Sequence, residues 1–410
     1  MPESGATHAP AAPAEPPSRS SRLQTKVLTS AAELIALGTE WGGLLQASRA
    51  NSLFLTWEWV STWWDVYEPG QLHVVTVRTD AGDLVAVAPL YLVRREGLAL
   101  GGWQAAVFLG YGQDVTPEYL DFIVRRGWED AAVPAILNQL MADPQIAELD
   151  LQPFAADSPV LATTLLMLRR SGGVTRHESS SRCPITVLPR SREEFLSSRS
   201  KNYRKKIGEY ERRCEQKLSS RLRRATTPDD VTRDLGTLRA LHLERWGDES
   251  RAFRSTEYLD FHHRFAQLML QQGRLRLFSL EASGLPLAVS YCFRYEDRYY
   301  FYQAGRNPAM KGERAGLVLM HKVLQEAIAD GAAVFDFLSG QEAYKYRWAT
   351  TETGSARVSH WKRTTCYLLA MGHGMLKLLQ SLPQRTFTGA RSRRGGIGII
   401  APPPLNGNTR

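Results

Sequence analysis

The sequence predicts a mixed α/β (α+β) protein whose fold is built twice. Three observations carry this. A hairpin signal occurs at LHVVTVRTDAGDLVAVAPLYL, from Leu72, and again at LRLFSLEASGLPLAVSYCF, from Leu275. In both, two strand-like runs flank a turn containing Gly. After each hairpin the chain offers a further strand, a helical run and another strand. Between the two units lies a basic stretch, residues 190–224, with nine Arg, four Lys and five Glu.

The elements follow in order. Residues 1–22 are rich in Ala, Pro and Ser, lack an apolar signal region, and read as a disordered leader. The run FLTWEWVSTWWDVY places Phe54, Trp57, Val60, Ser61 and Trp64 at helical spacing, which reads as core packing. Stacking of a sugar or acyl chain on Trp63 is the minor alternative. The first hairpin leads to YLDFIV as a strand, the helix EDAAVPAILNQLMAD and the strand IAELDLQPF. Helices near 193–217 and 228–245 precede the second half. Its hairpin leads to the strand DRYYFYQAG, the helix GLVLMHKVLQEAIAD and the strand AAVFDFLSG, so that Asp150 takes the place of Asp336. Each strand–helix–strand crossover calls for parallel strands. The expected division is 23–180 for the first half and 181–370 for the second, with a terminal helix and basic tail over 371–410. The apolar run 365–382, broken by Gly-His-Gly, reads as a helix packed on the second half or lying on a membrane surface.

Charge narrows the function classes. The net charge of +9 is local: residues 190–224 carry +8 and residues 385–410 carry +5, which leaves −4 for the rest. That distribution fits a specific anionic partner or a solvated helix. No apolar run is long enough to span a membrane. Four scattered cysteines without a C-x-x-C pair read as free thiols of a reducing cytoplasm. There is no G-x-S-x-G and no catalytic Cys signature. His262 and His263 are adjacent, so on a helix they point about 100° apart and share no metal. Direct acyl transfer from a thioester needs neither nucleophile nor metal. It needs a base for the acceptor, dipoles on the carbonyl and an acid for the departing thiolate.

The halves are expected to differ before the helix of the crossover. The second inserts AGRNPAMKGERAG, 304–316, where the first shows RRG. Glycines and Arg306, Lys311 and Arg314 at a helix start make an anion site for a pyrophosphate. The plain alternative is a surface loop.

Together these features resemble the GNAT superfamily of acyl-CoA transferases. Its loop pattern is Gln/Arg-x-x-Gly-x-Gly/Ala; KGERAG supplies Gly312 and Gly316, with Arg314 where a strict match has a glycine. YYFYQAGRNP, FDFLSGQEAYKYRW, FLTWEWVSTWW and SKNYRKKIGEYERR sharpen the resemblance to CelD-like acetyltransferases, relatives of the FemAB-type tandem-GNAT aminoacyl transferases. The resemblance implies two tandem GNAT-like halves, with acyl-CoA held in the second by Gln303, Gly305, Arg306, Lys311, Gly312, Arg314, Ala315, Gly316 and Leu317. It implies transfer of an acetyl or longer acyl group to an amine or hydroxyl acceptor, such as a sugar or cell-envelope precursor. Tyr344 matches the place of the acid that protonates the thiolate. Asp336 reads equally as a site residue or as a buried acid paired with an arginine. Lys201, Arg204 and Lys205 on the basic helix, with Lys345 and Arg347, are the expected acceptor contacts, against the plain reading of a solvated helix face. Two alternatives stand: transfer from aminoacyl-tRNA, and a degenerate pair acting as a non-catalytic scaffold.

Overall fold

A computed structural model of the chain describes residues 22–96, 102–247, 250, 252–364, 367–368 and 371–372. The expected leader, the basic tail and most of the terminal helix lie outside the described residues.

The first half runs β1 (Leu23–Leu28), α1 (Ala31–Gln46), α2 (Trp57–Tyr67), β2 (Gln71–Leu72), β3 (Val74–Thr79), β4 (Leu84–Ala88), β5 (Leu90–Arg95), β6 (Trp103–Phe108), β7 (Ile123–Val124), α3 (Glu129–Ala142), β8 (Ile146–Ala155), α4 (Pro159–Arg170) and β9 (Val174–Val187). The second runs α5 (Arg192–Ser197), α6 (Lys201–Arg212), β10 (Ser220–Arg224), α7 (Pro228–Trp246), α8 (Thr256–Gln271), β11 (Leu275–Ala282), β12 (Leu285–Tyr295), β13 (Arg298–Arg306), α9 (Ala315–Ala329), β14 (Val334–Asp336) and β15 (Thr351–Trp361). Polar caps start most helices. Ser30, Thr56, Ser158, Ser200, Thr227 and Ser255 each accept a backbone N–H two or three residues on.

Eleven strands form one sheet in the order β10-β11-β12-β13-β14-β9-β15-β8-β6-β5-β2. A four-stranded sheet, β1-β3-β4-β7, adjoins it where Pro89 separates β4 from β5. Both predicted hairpins form, β3–β4 and β11–β12. Both crossovers join parallel strands, β6 with β8 and β13 with β14. Asp150 faces Val107 of β6, and Asp336 faces Tyr300 of β13, so the two acids occupy matching places.

The halves exchange their last strands. Strand β9 ends the first half but pairs with β14 and β15 of the second. Strand β15 ends the second half but pairs with β8 of the first. A cut between residues 180 and 181 would fall inside β9. One hydrophobic cluster joins both halves through Trp41, Trp59, Phe261 and Tyr291; a second lies around α9 and includes Val323, Phe335 and Trp348. No described helix is long and apolar enough to cross a membrane.

Three features differ from the sequence reading. YLDFIV is strand only at Ile123–Val124, and the counterpart of β13 is the unforeseen β6. The apolar residues of YLDFIV are buried, but mostly in irregular backbone. The first half therefore does not join strand to helix through RRG alone. Residues 109–128 connect β6 to α3, a longer link than residues 307–314 in the second half. Finally, α8 was not foreseen between α7 and the hairpin, and the basic helix divides into α5, α6 and a π-helical turn over Arg213–Lys217.

The link 109–128 reaches into the second half. Glu118 accepts hydrogen bonds from Ser181 Oγ (2.6 Å) and Ser355 Oγ (2.7 Å) on the exchanged strands. The hydroxyl of Tyr119 donates to Asp336 at 2.9 Å. Asp114 accepts from Tyr67 at 2.6 Å and from Ser255. This link also brings Thr116 to the site described next.

Candidate active site

Strands β13 and β14 pair from Arg298↔Val334 to Tyr300↔Asp336 and then part. Strand β13 continues to Arg306, while the chain after Asp336 turns away through Leu338, at φ 54°, and Gly340, at φ 124°. A cleft of about 770 Å³ opens there, within the range of small-molecule sites. Residues 301–307, the start of α9, one face of α6, the end of α7 and much of the stretch from Phe337 to Trp348 line it, with Thr116 from the first half. A β-bulge marks the same place: Tyr291 faces Gln303 and Cys292 faces Phe301, so Tyr302 has no opposite residue in β12. Its hydroxyl meets Thr116 and Tyr258.

The loop before α9 folds as a 3-10 turn, Pro308–Glu313, started by Asn307, whose side chain accepts from Ala309 N at 2.9 Å. Arg314 then takes a left-handed conformation (φ 55°), and no side chain caps α9. The amides of Ala315 and Gly316 begin the helix with no carbonyl behind them and lie at the cleft. Glycine is not sterically required at two of these positions. A Cβ on Gly312 would meet nothing within 4 Å, and one on Gly316 would make ordinary contact, 3.4 Å from Arg306 Cδ. At Gly305 it is required: a Cβ would stand 2.9 Å from Leu241 Cβ, where α7 packs on β13.

Of the expected cofactor residues, Gln303, Gly305, Arg306, Arg314, Ala315, Gly316 and Leu317 line the cleft, and Gly312 does not. Lys311 belongs to the 3-10 turn, and its side chain lies outside the described ones.

The basic helix turns a different face to the cleft than the one expected. Lys201, Arg204 and Lys205 do not line it; Asn202, Lys206 and Tyr210, four residues apart, do. The buried Ile207 orients α6 and could have revealed this. Tyr203 also lines the cleft, its hydroxyl 3.0 Å from His321 Nδ1. Arg245 and Trp246, at the end of α7, were likewise missed.

Asp336 does not line the cleft. It is fully buried, and its oxygens accept from Arg298 Nη1 (2.7 Å), Tyr119 Oη (2.9 Å) and Leu338 N (2.8 Å). Its counterpart Asp150 is held likewise, by Arg357 (2.7 and 3.0 Å) and Arg95 (2.9 Å). A catalytic role for Asp336 is therefore not carried forward: it lies outside the cleft and its oxygens serve the joint between the halves.

Tyr344 does line the cleft. Burial pushes its phenol up, Glu342 adds to this, and Arg245 opposes it, so it holds its proton at neutral pH. The cation that acts on this phenol is Arg245, while Lys345 and Arg347, expected as acceptor contacts, take other places. Lys345 is buried and donates to Ser339 O at 2.5 Å, with Glu342 at 3.2 Å. It braces the turn that carries Tyr344. Arg347 is exposed at the rim. Below it Trp348 is anchored: Thr186 Oγ1 donates to its carbonyl at 2.7 Å, and its ring stacks on His321.

The sequence of residues 201–346 matches a family model described as an acetyltransferase (GNAT) domain. No curated protein matches the chain. Among solved structures it is similar to FemX, with 13% identity and a TM-score of 0.58 over 84% of this chain and 99% of that one. It is also similar to a conserved protein of unknown function from Bacteroides thetaiotaomicron VPI-5482, with 11% identity and a TM-score of 0.50 over 82% of this chain and 100% of that one. At these identities the likeness is one of fold. The chain has a tandem GNAT-like fold, and residues 201–346 of its second half are similar to a GNAT-type acetyltransferase domain.

Proposed function

We propose that this protein is an acyltransferase of the CelD-like kind, which moves an acetyl or longer acyl group from acyl-CoA to an amine on a sugar or cell-envelope precursor. The observation that supports this most is the parting of β13 and β14 beside the uncapped start of α9. An extended thioester arm fits the gap, and its pyrophosphate meets the amides of Ala315 and Gly316 with Arg306 and Arg314. The acceptor attacks the carbonyl directly, and Tyr344 protonates the leaving thiolate. A hydroxyl acceptor and a cytoplasmic setting are compatible with the same reading, and no metal takes part in it.

Calorimetry with acetyl-CoA and longer acyl-CoAs tests the donor. Micromolar binding to at least one is expected; no binding to any would refute the reading. Tyr344→Phe keeps the ring and removes the proton. It should lower kcat by roughly 10²–10⁴-fold with donor affinity unchanged, and turnover within a factor of a few of wild type would leave water as the acid.

The second reading, transfer from aminoacyl-tRNA, draws on Lys201, Arg204 and Lys205. They form an exposed basic face on the wall of the cleft but outside it. A polyanion larger than CoA would reach them. Binding of charged tRNA with no binding of acyl-CoA would favour it. Binding of acyl-CoA without turnover over a broad amine panel would favour a scaffold.

A further inference from the structure

Among the described residues that line the cleft there is one carboxylate, Glu342, and no histidine. The turn around this carboxylate is built to hold it. Gly340 adopts φ 124°, and a Cβ there would overlap Glu342 Oε2 and come within 2.6 Å of Lys345 Nζ. Lys345, itself 5% exposed, stands 3.2 Å from Glu342 Oε2 while bonding Ser339 O. The glycine makes room for the half-exposed carboxylate, and the buried ammonium stands beside it. Glu342 is close enough to Tyr344 to push the phenol up, so the base and the acid of a transfer share one turn of chain.

The other charged residues of the lining are cations, and all but Lys345 are unpaired among the described residues. Lys206, Arg245, Arg306, Arg314 and Arg347 make no ion pair with a described residue. Arg245 is pushed down by burial and then by Arg306, so these two like charges feel one another. A plain ammonium entering such a cleft would be repelled. An ammonium that brings its own anion would not be, and Arg245 offers that anion a place within electrostatic reach of Glu342 and Tyr344.

We propose that Glu342 is the catalytic base and that the acceptor is a primary amine bearing an anionic oxygen group, phosphate or carboxylate. This rests on the acyl-CoA reading above. The acceptor ammonium gives one proton to Glu342. The freed lone pair forms the C–N bond at the thioester carbonyl, and collapse of the tetrahedral intermediate breaks the C–S bond. The thiolate takes the proton of Tyr344, whose phenolate is recharged by the second proton of the nitrogen. Glu342 releases its proton to solvent, so each turnover yields amide, CoA thiol and one proton.

The test uses the full chain with acetyl-CoA and paired amines: glucosamine 6-phosphate with glucosamine, phosphoethanolamine with ethanolamine, and glycine with glycinamide. Release of CoA thiol is the readout. Conversion at least tenfold better for an anionic member than for its neutral partner supports the acceptor class, and the pairs separate phosphate from carboxylate. Equal conversion of neutral partners overturns it, because the cations would then serve the donor alone. Conversion of no anionic amine while acetyl-CoA still binds overturns it too. Failure of acetyl-CoA to bind is the distinct result that removes the acyl-CoA reading itself. With the converted amine, Glu342→Gln should lower kcat by roughly 10²–10⁴-fold at neutral pH, with acetyl-CoA affinity unchanged. The deficit should shrink as the pH nears the pKa of the amine, where the base is no longer needed, and Glu342→Asp should recover part of the rate. A deficit below threefold, or one that does not change with pH, would show that Glu342 only braces the turn.

Discussion

Replacing Asp336 by Asn tests whether this acid serves the fold or the chemistry. The side chain is 0% exposed and accepts three hydrogen bonds, one from a guanidinium, one from a tyrosine of the other half and one from the backbone. The variant keeps the shape but leaves Arg298 facing a neutral group. Breaking a fully buried ion pair costs about 3–5 kcal/mol. The Arg298 side chain is 30% exposed and recovers some hydration, so about 2–4 kcal/mol is the expected loss. For a chain of this size that is a fall in Tm of about 2–5 °C. Calorimetric melting or urea unfolding reads it. Tyr119→Phe removes one bond to the same carboxylate and should cost about 1–2 kcal/mol. Because Asp336 mediates both effects, the double variant should fall short of the sum by more than about 0.5 kcal/mol. Wild-type stability for Asp336→Asn, with activity lost, would refute the structural assignment and return Asp336 to the mechanism.

Two further outcomes are expected. Lys206→Ala should weaken acyl-CoA or acceptor binding at least fivefold, while Arg204→Ala and Lys205→Ala should leave both within twofold, as isothermal titration will show; the reverse order would favour a large polyanion on the outer face of α6. Burial raises the pKa of Asp121 to about 8, with no cation to offset it. An acid whose folded pKa lies above its unfolded value loses its stabilising contribution as pH rises between those values, so Asp121→Asn should gain stability relative to wild type from about pH 4 to pH 8. A difference in unfolding free energy that stays flat over this range would contradict that.

The sequence by itself determined the doubled plan, because hairpin alternation and helix–strand succession are local patterns that burial enforces. It determined the loop before α9 and the place of Tyr344, because both are fixed by distance along the chain from β13 and β14. Charge by itself did not show which face of α6 meets the cleft: Lys201, Arg204, Lys205 and Lys206 are equally basic, and only the one apolar position, Ile207, marked the inward face that packing then seats. Nor did it reveal that β9 and β15 change halves, since a strand carries no mark of the partner it will hydrogen-bond. The reach of Tyr119 to Asp336, 217 positions along the chain, follows from that exchange. The full cluster of Arg245, Glu342 and Tyr344 was hidden for a different reason. Glu342 and Tyr344 are neighbours in the chain, but Arg245 comes from the end of α7, and tertiary packing alone brings it to them.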